Sequence, residues 1–341
     1  MRRLVPALVM SSGLLLAVAC SDSPTAPTAP ASPLTPSLSR DGVDREFDGQ
    51  GNKSERHIFE LANSPAMKSA GRGGGGGTGI SYHGGPVLQA ATNVVGVYWA
   101  GSTIYNGGPA VGTYGLGSAD GSLVGYFLSH LGGSPYFNIN TTYKNGSGVP
   151  IANVVNYTGF WANNSNVPSN GQNVSDANMI AMLQSGFNSG ALSYNASTLY
   201  AIFTAGTVNL GGGFGTQYCA YHTHGTVSIG GVNRTVLYAA MPYVNAYPTA
   251  CTNNTASPNN DAAADRLVNV LAHEVEETTT DMMGNAWFDS RGYENADKCA
   301  WNFGTTTTSH GGVSNIPIGA KWFLVQQNWI NSGSGGCRLS W

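Results

Sequence analysis

Between residues 92 and 281 the spacing of apolar positions changes period several times. "TNVVGVYWAG" (92–101) is an apolar run of strand length, and "SADGSLVGYFLSHLGG" (118–133) carries apolar residues at helical intervals before a glycine stop. A strand followed by a helix is predicted. "PIANVVNYTGFWA" (150–162) reads as a strand, "SDANMIAMLQSGFNSG" (175–190) as a helix opened by a Ser or Asp cap, and "STLYAIFTAG" (197–206) as another strand. Two β segments, "YHTHGTVSI" and "RTVLYAAMPYV", flank a Gly-Gly pair and are expected to pair antiparallel. Next, "DAAADRLVNVLAHEVEETTTD" places Leu267, Val270, Leu271 and Val275 on one face behind Asp261 or Asp265, which predicts a helix over about 261–281. Short segments around "KWFLVQQNWI" close the chain. The predicted class is α/β: a single domain with a mixed sheet flanked by a few helices.

The N-terminal region follows other rules. Residues 1–20, "MRRLVPALVMSSGLLLAVAC", set two arginines before a short apolar run that ends on small residues, the pattern of an export signal. Because the small residues lead into Cys20, lipid attachment there is expected. Residues 21–78 hold a Pro, Thr and Ala tract, then twelve charges between 40 and 72, then "GRGGGGGTG" (71–79). This stretch is expected to be a disordered linker and a charged pro-like segment, with the globular domain running from 79 to 341.

That domain has seven Lys and Arg, which gives no basic patch for nucleic acid. Without the signal no long apolar run remains, so a lipid anchor is the expected route to a membrane. Export puts the protein in the cell envelope or outside it, where its partner would be a protein or glycan. Cys219, Cys251, Cys299 and Cys337 form an even set for an oxidising compartment, with Cys219–Cys251 and Cys299–Cys337 one of three pairings.

Charge changes the picture at one place. Of eleven Asp and Glu beyond residue 78, nine lie between Asp261 and Asp297. On the predicted helix His273 and Glu277 stand one turn apart on the same face, with Glu274 about 100° round the axis. This is the HExxH layout with Glu in place of the second histidine; in the parent motif the two outer residues bind zinc and the inner Glu polarises the attacking water. Negative charge near a helix C-terminus opposes the macrodipole, and few cations are at hand to offset it. A metal is therefore expected, held by His273, Glu277 and Glu294, with Asp297 a further ligand or a support and Glu274 the general base. His222 and His224, at alternate positions of a strand, are other candidates. Asp281 shares the helix face but lies roughly 12 Å from His273 along the axis, too far to join the same ion. Zinc is the first expectation, and the extra carboxylate makes calcium or manganese the alternatives.

"SYHGGPVL", "VYWAG", "FLSHLGGSPYFNINTTY", "YCAYHTHG" and "KWFLVQQNWINSGSGGC", taken in order, resemble the EXORDIUM or phosphate-induced-protein family over nearly all of residues 80–341. The family is best known for plant apoplastic proteins linked to growth and nutrient responses. The resemblance implies export and a single domain, and supplies no reaction. The segment from His273 to Cys299 resembles a wider microbial pattern and points to the bacterial branch, although Met282 stands where Pro often follows Thr-Asp. Two functions are expected from this. One is an exported zinc-dependent hydrolase, peptidase-like and zincin-like around the HExxE helix. The other is a non-catalytic envelope or extracellular protein that binds a glycan or protein and has a structural metal or salt-bridge site.

Overall fold

The computed structural model describes residues 43–47, 53–61 and 79–341; the expected export signal with Cys20, the Pro, Thr and Ala tract, and the glycine run up to residue 78 lie outside the described residues. Among the described residues nine strands come before the long acidic helix: β1 (Val43–Phe47), β2 (Lys53–Glu60), β3 (Ser81–Tyr82), β4 (Thr92–Trp99), β5 (Tyr114–Gly115), β6 (Val155–Trp161), β7 (Thr198–Thr204), β8 (Tyr218–Ile229) and β9 (Val232–Met241). The helices are α1 (Leu123–Leu131), α2 (Asp176–Ser189), the one-turn α3 (Pro248–Cys251) and α4 (Ala262–Thr280). Among the described residues no helix is long and apolar enough to cross a membrane.

Eight of these strands form one mixed sheet in the order β1-β2-β8-β9-β7-β4-β6-β5. Its centre, β6-β4-β7-β9, is parallel, and the pairs on both flanks are antiparallel. Parallel neighbours need long crossovers, and α1 and α2 supply two of them, between β4 and β6 and between β6 and β7. Strands covered on both faces read as unbroken apolar runs, and every residue of β7 is buried. The Gly-Gly pair makes the β8–β9 hairpin: Ile229 faces Val232, and Gly230 and Gly231 take φ of 59° and 79°. Positive φ at both central residues is what a two-residue turn matching the strand twist demands.

The capping alternatives left open by the sequence resolve locally. Ser175 caps α2, accepting the Asn178 N–H at 3.3 Å while Asn178 Oδ1 accepts the Ser175 N–H at 3.0 Å. Asp261 rather than Asp265 caps α4, accepting the Ala264 N–H at 3.1 Å. The cysteines pair as Cys219–Cys251 and Cys299–Cys337. Closing loops of this length stabilises each by roughly 3–4 kcal/mol.

One expectation fails over its described part. The charged stretch anticipated as linker or pro-segment contains β2, which lies inside the sheet between β1 and β8. Its Arg56 is neutralised by a partner distant in sequence, where a count of charges alone suggests a solvated segment. Side chains alternate across a strand, so Arg56 and His57 enter opposite faces. Arg56 is fully buried; its Nε donates to Asp176 Oδ2 at 2.8 Å, and its guanidinium lies 4.4 Å over the ring of Tyr221. Asp176 also accepts the hydroxyls of Tyr221 and Tyr238 at 2.7 and 2.6 Å. These contacts put α2 on the Tyr221 face of β8. His222, the next residue, faces α4 on the other side.

Removing one partner of a buried ion pair leaves an uncompensated charge, at a cost of about 3–5 kcal/mol. Arg56→Met is therefore expected to lower the unfolding free energy by that amount, read as a lower denaturant midpoint, while Asp176→Asn combined with Arg56→Met recovers part of the loss. An unchanged midpoint in Arg56→Met would show that β2 is not docked in solution.

Candidate metal centre

Helix α4 is buried from Leu267 to Thr280 on every side. Its apolar stripe packs into the core, and its last turn is held by Thr278 and Thr279, whose hydroxyls donate to the carbonyls of Glu274 and Val275 at 2.7 and 2.6 Å. A helix so enclosed brings all its acids inside. Several acids of the cluster have local duties: Asp261 caps the helix, Asp265 accepts from Ser257 and Asn259, and Asp289 pairs with Lys298 and Arg291 at 3.2 and 3.3 Å. Glu276 turns to Asn140. Asp281 Oδ1 accepts the N–H groups of Asn285 and Ala286, both at 2.6 Å, which turns the chain out of the helix.

Glu274, Glu277, Glu294 and Asp297 remain, and their ion-pair partners are imidazoles. His273 Nε2 lies 3.0 Å from Glu277 Oε1 and 3.3 Å from Asp297 Oδ1. His222 Nδ1 lies 3.2 Å from Glu274 Oε2 and 3.6 Å from Glu277 Oε2, and its Nε2 lies 3.8 Å from Glu294 Oε2. His57 Nδ1 lies 2.6 Å from Glu294 Oε2. Three triplets have ligand atoms close enough to share an ion: His273, Glu277 and Asp297; His222, Glu274 and Glu277; His57, His222 and Glu294. Ligand atoms about 2.0–2.1 Å from a tetrahedral zinc stand roughly 3.3 Å apart, and the observed separations bracket that value.

The residues fit a cation on a further ground. Buried and without a hydrogen-bond partner are Nε2 of His57 and His222, Oε1 of Glu274, Oε2 of Glu277 and Oε1 of Glu294. Buried polar atoms are ordinarily paired, so a convergent set of unpaired ones marks a place where a ligand completes the structure. Burial, then Glu277 and Asp297, act on the carboxyl groups: Glu277 is pushed up to about 7 by burial and by Asp297, and Glu294 is raised by burial and by Glu277. Glu274 is raised by burial, against the pull of His273. Burial also lowers His222, as do His57 and His273.

The structure sorts the residues expected from sequence. Glu277 and Asp297 join His273, while Glu294 turns away to His57 and His222. His222 is in the centre, whereas His224, two residues on and half-buried, is in none of the triplets. Glu274 is fully buried beside His222. Asp281 is not a member of any triplet, in keeping with its distance along the helix. Two contributors went unread. His57 lies in the stretch expected to be linker; the adjacent apolar pair Ile58 and Phe59 of "RHIFE" was the available signal. Gln326 is the other: its Nε2 donates to Ala296 O at 2.8 Å and lies 3.1 Å from His273 Nδ1.

Residues 80–316 match the family described as phosphate-induced protein 1 conserved region. Searches of curated proteins and of solved structures return no match.

Glu277 makes the pH dependence testable. Its folded value, about 7, lies above the ordinary 4.5, so the metal-free folded state binds this proton more tightly than the unfolded chain does. Its contribution to stability is thus full below about 4.5 and lost as pH rises toward 7. The raised Glu274 and Glu294 act in the same sense, and the lowered His222 in the opposite one. In metal-free protein the denaturant midpoint should fall less between pH 5 and 7 in Glu277→Gln than in the parent. Equal slopes would remove Glu277 as the titrating group.

Proposed function

The chain belongs to the phosphate-induced protein 1 family, and from this premise we propose that it is an exported, non-catalytic metalloprotein whose buried centre braces the domain. The observation that carries the reading is the set of unpaired imidazole and carboxylate atoms in a site whose residues are almost wholly enclosed. His57, His222, the α4 residues and the Glu294–Asp297 loop are distant in sequence, so a cation among them would tie four segments together. Cys219–Cys251 and Cys299–Cys337 begin within three residues of His222 and Asp297 respectively, and they suit an oxidising compartment. Attachment through Cys20 would hold the domain at the envelope.

Imidazole with carboxylate favours zinc, with manganese next; calcium takes oxygen ligands and would leave the histidines unused. The hydrolase reading asks Glu274 to activate water at an open position. Glu274 is instead enclosed and sits against His222, which suits orienting that ring more than meeting a substrate. A partner has a more open place to bind: a surface groove of about 610 Å³ lined by Asn93, Tyr114, Thr158, Tyr194 and Asn195 has the aromatic and amide chemistry that suits a glycan.

A cation present at a hundredfold excess over its Kd adds about 2.7 kcal/mol. Chelation of the purified protein is then expected to lower Tm by roughly 5–10 °C, with recovery on adding zinc. No shift on chelation, together with no metal by elemental analysis, would leave the cluster as a salt-bridge network. Peptide turnover that disappears in Glu274→Gln with metal retained would restore the hydrolase.

A further inference from the structure

We infer that His57, His222 and Glu294 form a cation site of their own, separate from the His273, Glu277 and Asp297 triplet, so that the centre takes two ions. The inference rests on reading the cluster as a metal centre and adds to it a second position and a ligand from the N-terminal strand. The two triplets share no residue. Each offers three ligand atoms, and the third triplet lies between them, sharing His222 with one and Glu277 with the other. Glu277 itself faces both ways: Oε1 is 3.0 Å from His273 Nε2, and Oε2 is 3.6 Å from His222 Nδ1.

Proton positions favour the second site. With Glu274 Oε2 at 3.2 Å, His222 Nδ1 is placed to carry the proton and donate it, which leaves Nε2 with a bare lone pair on the side of Glu294. A carboxylate behind an imidazole in this way is the usual support for a metal-ligating histidine. His222 Nε2 and Glu294 Oε1 have no hydrogen-bond partner, and Glu294 Oε2 lies 2.6 Å from His57 Nδ1.

The backbone presets the pair of rings. His57 and His222 are directly opposed in the β2–β8 register, and their rings stack with centroids 4.9 Å apart. Opposed residues of neighbouring strands project from the same face, so this spacing follows from the sheet and needs no flexible loop. On the far side Gly284 comes so close that a Cβ there would stand 2.2 Å from His57 Nε2.

Charge leads to the same number of ions. Glu274, Glu277, Glu294 and Asp297 bring four negative charges when ionised, and one divalent cation would leave two of them to be protonated or met by an imidazolium. Two divalent cations balance the set. His57 precedes the matched region 80–316, so the second position draws one of its ligands from outside that region.

The test is metal stoichiometry on the full chain without a histidine-rich tag, stripped with chelator, reloaded with zinc alone and measured by elemental analysis. Near-UV circular dichroism confirms that each variant is folded, and His57→Gln replaces His57→Ala if the latter is not. Two zinc per chain in the parent, and one each in His57→Ala and His273→Ala, is the expected result. One zinc in the parent, kept in His57→Ala and lost in His273→Ala, would overturn the second position and leave the HExxE site standing. One zinc lost in His57→Ala but kept in His273→Ala would uphold the site inferred here and remove the other. No zinc in the parent overturns both.

Discussion

Four carboxylates enclosed with three imidazoles as their ion-pair partners is the constraint around which this molecule is arranged. Charge in a low-dielectric interior is tolerated only when it is balanced or removed by protonation. The metal-free chain has protonation available, with Glu277 held near neutrality and its neighbours raised as well. A bound cation offers the other route. Either way, the segments that bear these groups must stay together, and the architecture holds them from several directions.

The sheet is the first of these supports. Its register sets His57 opposite His222, and its alternation sends Arg56 and Tyr221 to the α2 side and the two histidines to the α4 side. One strand therefore serves two buried electrostatic sites on opposite faces. On the Arg56 side the structure carries its own compensating cation, with Asp176 satisfied by a guanidinium and two tyrosine hydroxyls. On the His57 side the anions outnumber any fixed positive charge. That asymmetry separates a closed structural ion pair from a place suited to a ligand. The disulfides act nearby, anchoring β8 three residues before His222 and the terminal loop two residues after Asp297.

Much of this frame was legible in the chain. The β4, β7 and α2 segments declared themselves by length and period, the Gly-Gly pair announced its hairpin, and the HExxE helix was placed to within a residue. The acidic cluster was visible as composition, and one-turn spacing correctly put His273 beside Glu277 while keeping Asp281 apart. The failures have a common origin. β2 was hidden because a count of charges cannot distinguish solvated residues from residues paired across a hundred positions, as Arg56 is with Asp176. Glu294 and Asp297 exchange their expected weights because the Asp297 N–H donates to Glu277 Oε1 at 2.9 Å, which holds Asp297 against the HExxE turn.

By itself the sequence determined the local elements, the α/β class, the concentration of acids on one helix and the even set of cysteines. These follow from period, capping and composition, which act over a few residues. Tertiary structure alone decided which histidines meet which carboxylates, that a strand from the charged N-terminal stretch completes the centre, and that Glu274 is enclosed. Those outcomes depend on strand register and on side chains brought together from positions more than fifty residues apart, information that no local pattern carries.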